Sequence, residues 1–150
     1  MHRPQALRFL PASAVLHDPD ADTFASATAA YECSGGLLAA DTVAMTLDRR
    51  QGQGISRVAR WIVDRRVLSI AGFGGFWLPA FQLNPVTWTP RVELAPVLAT
   101  LPPPTETWCW TDWFAEANEL LHGRRPADLL ACAPGEVLQA ARQLRFVCMG

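Results

Sequence analysis

Ser56-Arg-Val-Ala-Arg-Trp-Ile-Val-Asp-Arg-Arg-Val-Leu-Ser-Ile70 changes its period at its middle. Up to Arg65 the apolar residues Val58, Ala59, Ile62 and Val63 recur at three and four, which makes one stripe of an amphipathic helix. Ser56 stands where a helix cap belongs, since its short side chain can accept from the first free N–H groups. Beyond Arg66 the period falls towards two. Val67-Leu-Ser-Ile70 reads as a strand, Gly72-Phe-Gly-Gly75 as a turn and Phe76-Trp-Leu78 as the return strand. Pro79 cannot donate to a ladder, so it ends that strand or lies on an edge. A hairpin this short persists only against a helix.

Upstream, a helix over 40–47 has Val43, Ala44 and Leu47 on one face, followed by the polar connector Asp48-Arg-Arg-Gln-Gly-Gln-Gly54. Earlier still, Phe24, Ala27 and Tyr31 repeat at helical spacing, with Asp22 or Thr23 as cap and Gly35-Gly36 as stop. Residues 1–21 hold Pro4, Pro11 and Pro19 and read as an irregular arm. Residues 84–107 form a Pro-rich connection around a helix at 92–101, with Pro96 in its first turn and Pro102-Pro-Pro104 as a stiff spacer. A stronger helix is expected over 107–121, with Trp110, Trp113, Phe114, Ala117, Leu120 and Leu121 as its apolar face. A short turn at 127–131 and a closing helix from Pro134, with Val137, Leu138, Ala141 and Leu144 in period, complete the chain.

The fold class expected is mainly α: a winged-helix-like helix-turn-helix part with a small β-hairpin over 22–83, packed on a C-terminal helical bundle over 108–150. The 150 residues weigh 16.5 kDa, are 50% hydrophobic and carry a formal charge of −1, so a core is affordable and no global field draws the chain to a polyanion. All thirteen basic residues are Arg, as in a GC-rich, bacterial coding sequence. No apolar run approaches the roughly 20 residues of a membrane span, and no signal segment is read at the start. Cys33, Cys109, Cys132 and Cys148 lie far apart, as do His2, His17 and His122. Four reduced thiols, no metal, no cofactor and a cytoplasmic location follow as expectations.

The charge is uneven. Residues 48–66 hold Arg49, Arg50, Arg57, Arg60, Arg65 and Arg66 against Asp48 and Asp64, a local +4. Guanidinium groups match phosphate oxygens and guanine edges, so duplex DNA is the partner this pattern suggests, with Arg57 and Arg60 facing solvent together. The competing reading is a solvated helix face with internal Asp–Arg pairs. From Glu106 to Glu136 two Arg stand against six carboxylates, a local −4. No phosphate loop, nucleophile elbow or dinucleotide fingerprint is found, and Glu116, Glu119 and His122 read as a solvated acidic face, so no enzyme is expected.

Two stretches resemble known families. Residues 56–70 resemble the second helix and wing of MerR/excisionase-type winged helix-turn-helix proteins, and Leu37-Leu-Ala-Ala-Asp-Thr-Val-Ala44 resembles their first helix. The tip Gly72-Phe-Gly-Gly75 lacks the basic residue such a wing would present to DNA. Trp113-Phe-Ala-Glu-Ala-Asn-Glu-Leu-Leu-His-Gly-Arg-Arg-Pro-Ala-Asp-Leu-Leu-Ala131 is similar to the toxin-binding domain of MbcA/ParS/Xre-type antitoxins, matching at Trp113, Asn118, Leu121, Gly123, Pro126, Asp128, Leu129 and Leu130. Ala117 stands where that family has Pro.

The second resemblance implies an antitoxin that binds a protein toxin of the NAD-degrading RES type and represses transcription as a homodimer. Bottom-up, each motif residue has a structural role: Asn118 bonds free backbone groups, Gly123 is a positive-φ stop, Pro126 starts a turn, Asp128 faces its amides, and Leu129 and Leu130 enter the core. The expected partner-binding residues are Trp108, Arg124, Arg125, Arg145, Phe146 and Met149. The apolar run Phe146-Val-Cys-Met149 either enters a partner's cleft or folds onto the protein's own core. The alternative function is an interaction adaptor that keeps the helix-turn-helix scaffold without binding DNA.

Overall fold

The computed structural model describes residues 21–105 and 108–149. Residues 1–20, Glu106, Thr107 and Gly150 lie outside the described residues, as do the side chains of 21–23 and Met149, so the arm expected over 1–21 falls outside them except for Ala21, which begins a helix. The fold is mainly helical with a three-stranded antiparallel sheet.

Helix α1 (Ala21–Tyr31) already includes Asp22 and Thr23, so neither is its cap. A 3-10 turn at Glu32–Ser34 ends on Gly35, whose φ of 105° is open to glycine without strain. Strand β1 (Leu37–Ala39) comes next, at residues expected to begin a helix. Three residues have no period of their own, and the strand exists through pairing with β3 some forty residues later. Helix α2 (Ala40–Arg50) buries Val43, Ala44 and Leu47, as the spacing requires.

Helix α3 (Gly54–Val63) starts before the expected cap, and Ser56 lies exposed in its first turn. The cap comes from α2 instead: Gly54 N–H donates to the Asp48 carboxylate at 2.6 Å. A Cβ at Gly54 would stand 1.9 Å from the Ala44 carbonyl oxygen, so only glycine permits this approach of α3 to α2. The core stripe also differs. Val58, Ala59 and Trp61 are buried while Val63 is 51% exposed, because the helix ends there and Trp61 turns inward.

Strands β2 (Ile70–Gly72) and β3 (Gly75–Pro79) form the hairpin, later than expected, and Val67 and Leu68 are core residues ahead of it. Its two-residue tip, Phe73 and Gly74, has φ of 50° and 75°, the doubly positive pattern that matches the twist of paired strands. Sheet order is β1-β3-β2, with Leu38 opposite Leu78 and Ile70 opposite Trp77. Pro79 is the last residue of the central strand.

The second half is built of short pieces. Helix α4 (Leu94–Thr100) has Pro96 in its first turn. Helix α5 (Trp110–Ala115) ends far short of Leu121, since Glu116 is extended and Asn118 bridges to Arg124. The expected apolar face therefore breaks: Trp113, Phe114 and Leu121 are buried, Ala117 and Leu120 exposed. Helix α6 (Pro126–Leu129) follows, with Pro126 at its start and Leu129 and Leu130 in the core. Helix α7 (Pro134–Met149) closes the chain.

Two cores result. The first gathers α2, α3 and β3 around Leu47, Val58, Trp61, Phe76 and Leu78. The second gathers Leu94, Val97, Leu98, Trp113, Phe114, Leu129, Leu130 and Val137, and takes Tyr31, Leu68 and Phe81 from the first half of the chain. The cores thus interleave in sequence, and α4 belongs wholly to the second. Between them lies Gln82, fully buried, on a 3-10 turn at Ala80–Gln82. Its Oε1 accepts from Leu68 N–H at 2.7 Å and its Nε2 donates to Leu68 C=O at 2.8 Å.

Tyr31, the one tyrosine in the sequence, ties α1 to this second core. Its ring stacks on Phe81 with centroids 5.8 Å apart, and its hydroxyl donates to the Thr111 carbonyl. Burial, with the charges of Cys109 and Asp112 adding to it, pushes the phenol well above its ordinary range. A raised folded pKa means that stability from this group is present below the unfolded value of about 10 and is lost as pH rises above it. Absorbance near 295 nm during an alkaline titration should therefore show phenolate only as the circular dichroism collapses. A phenolate signal with a midpoint near pH 10 on an intact fold would contradict this placement.

Candidate nucleic-acid interface

The arginine-rich segment forms one wall of a groove of about 930 Å³. Arg57, Arg60, Arg65 and Arg66, with Asp64, line it from α3 and the turn after it. Arg91, ahead of α4, lines it from the second core's side, so five guanidinium groups face one carboxylate. Arg60, Arg65 and Arg66 are exposed and, among the described residues, their side chains make no hydrogen bond or ion pair. The internal Asp–Arg pairs of the competing reading are not formed: Asp48 is spent on the α3 cap. Like charges gathered in this way repel one another, which favours an anion between them.

Not every expected cation is free. Arg57 is half-buried, its guanidinium 5.7 Å from the Trp61 ring and bonded to Gln51 Oε1 at 2.5 Å, so it does not share open solvent with Arg60. Arg50 donates to the Val86 carbonyl, and Arg49 is exposed outside the groove. Arg65 ends α3 with φ of 56°, where glycine is the unstrained residue and a side chain costs about 1 kcal/mol. Arg91 escaped the sequence reading because nothing local marks it. Only the fold brings it to the groove.

The hairpin tip faces elsewhere. Phe73 packs edge-on against Phe24 of α1 at 4.7 Å, and Phe24 also meets Trp77 at 5.2 Å.

At the C-terminal end, Asn118 organises the turn through its side chain and its backbone. Its Oδ1 accepts from Leu120 N–H at 2.9 Å, and its backbone carbonyl accepts from both Leu121 and Gly123 N–H. Gly123 has φ of 81°. Asp128 is exposed in the first turn of α6. The expected partner-binding residues divide. Trp108 is half-buried against the second core rather than exposed. Arg125 is half-buried and donates to the Ala30 carbonyl at 2.8 Å, which ties α6 to α1. Arg145 donates to the Ala99 and Thr100 carbonyls at 3.3 and 3.4 Å, closing the C-terminal end of α4.

Arg124 is exposed, and Met149 ends α7 with its side chain outside the description. Phe146 and Val147 stand 75% and 73% exposed on α7, so they do not fold back on the core. Val147 borders a shallow groove of about 400 Å³ shared with Trp113, Glu116, Leu120 and Leu144. Glu116, Glu119 and His122 do not converge into a group that could hold a metal ion, and among the described residues no helix is long and apolar enough to cross a membrane.

No family model, curated protein or solved structure matches this chain.

The exposure of the last turn of α7 gives a direct expectation. Removing residues 146–150 should change stability by no more than about 1 kcal/mol, as for surface changes that touch no core or cap. Thermal melting of the shortened chain checks this, and a loss of several kcal/mol would put those side chains in the core.

Proposed function

We infer that this protein is a regulatory DNA-binding protein of the antitoxin kind. The observation that carries the reading is the set of three arginines, Arg60 on α3 and Arg65 and Arg66 in the turn after it, whose side chains have no partner among the described residues. Their setting supports it. The order helix, strand, helix, helix, strand, strand, with sheet order β1-β3-β2, supports the winged helix-turn-helix reading, in which α3 is the recognition helix. In such proteins that helix enters the major groove and reads base edges, while cations beside it hold the phosphates.

The C-terminal part is the site for a protein partner. The Asn118-centred turn, Pro126 and the buried Leu129 and Leu130 take the turn and core roles read from the residues, and the resemblance of this stretch to the antitoxin motif suggests a RES-type toxin as partner. The exposed Phe146 and Val147 offer that toxin an apolar contact, and a homodimer on its own operator is the assembly that goes with it. A second reading, an adaptor that binds protein alone, is favoured by the hairpin tip, which is apolar and engaged by Phe24.

Titration of labelled duplex DNA against salt separates the two. The unaltered chain should bind duplex at low salt, with log affinity falling linearly with log salt. Arg60→Ala with Arg66→Ala should lower that slope by roughly 2, since each phosphate contact contributes about 0.9. No duplex binding at low salt, or an unchanged slope in the double variant, would sink the DNA reading and leave the adaptor.

A further inference from the structure

In the duplex-binding reading, phosphate contacts position the recognition helix, and the hairpin tip is where a wing would supply one of the cations. Here the tip is Phe73 and Gly74, with no cation, and Phe73 is held against Phe24. The groove nonetheless has a second positive wall. Arg91 lies on it, and two bonds fix where its side chain leaves the backbone: its N–H donates to Gln82 C=O at 2.8 Å and its Nε donates to Phe81 C=O at 2.9 Å. The terminal guanidinium nitrogens have no partner among the described residues, and the side chain lines the groove with Arg60, Arg65 and Arg66. A guanidinium fixed through Nε with its outer nitrogens free is preorganised for a phosphate. Arg65 adds an independent sign, since it occupies a positive-φ position that glycine fills without strain.

We propose that Arg91 and Arg65 replace the wing, so that one phosphodiester strand of bound duplex runs along the groove between α3 and the segment 89–99. This rests on the duplex-binding reading.

Three measurements test it. Arg91→Gln should lower the salt slope by about 0.9 and weaken binding equally on unrelated duplex sequences. Arg65→Gly should melt at or above the temperature of the unaltered chain and yet bind duplex more weakly, which a merely structural arginine would not do. Phenylglyoxal labelling of the unaltered chain, read by mass spectrometry, should show Arg91 protected by duplex DNA and Arg124 labelled as before. This decides the matter even where Arg91→Gln fails to fold. An unchanged slope for Arg91→Gln beside a lowered slope for the Arg60 and Arg66 pair would overturn the proposal and leave the DNA reading standing. So would equal labelling of Arg91 with and without DNA, or full binding by Arg65→Gly. Preference for single strands over duplex overturns it as well. A chain that binds no duplex overturns both.

Discussion

The Gln82 side chain pairs with both backbone groups of Leu68, as one rung of a sheet would, in the only place where the two cores touch through polar atoms that are fully buried among the described residues. Leu68 precedes the hairpin and belongs to the second core, while its neighbour Val67 belongs to the first. Phe81 and Leu83, on either side of Gln82, divide in the same way. Each unsatisfied backbone group there would cost about 1–3 kcal/mol, so the amide is held to one orientation and the two segments to one register.

The groove depends on that register. Its α3 wall belongs to the first core, and its other wall follows Gln82 directly through Arg91, whose N–H is bonded to the Gln82 carbonyl. A slip between the cores would change the spacing of Arg91 from Arg60, Arg65 and Arg66. The fold therefore gathers five like charges beside a single carboxylate, at a cost in mutual repulsion. Tyr31 and Arg125 fasten α1 to the second core, through Thr111 and Ala30.

What the sequence revealed was local. The apolar spacing of α2, the positive-φ glycines, Pro126 at the head of α6 and the two leucines behind it were all legible, because each rests on residues within a turn of one another. The long helix over 107–121 was an over-reading. Its apolar pattern is continuous, but Asn118 prefers to bond its own backbone neighbours and breaks the helix there. What stayed hidden was long-range: β1 exists through β3, the α3 cap is an aspartate six residues upstream, and Arg91 reaches the groove through the fold alone. Gln82 carries no signal in the sequence, since its partner Leu68 lies 14 residues away in the chain. Of the candidate site, the α3 arginines were legible by count, but which of them are free was not, because that depends on Trp61, Gln51 and Val86.

If the two cores act as one body through Gln82, the Leu68 amide must be as hard to open as either core. Native-state hydrogen exchange reads this residue by residue. The account predicts that Leu68 exchanges only through an opening that also releases Val58 in α3 and Leu98 in α4, with one free energy for all three. A Leu68 amide that exchanges much faster than both, with Val58 and Leu98 released at separate free energies, would show two independent cores and contradict it.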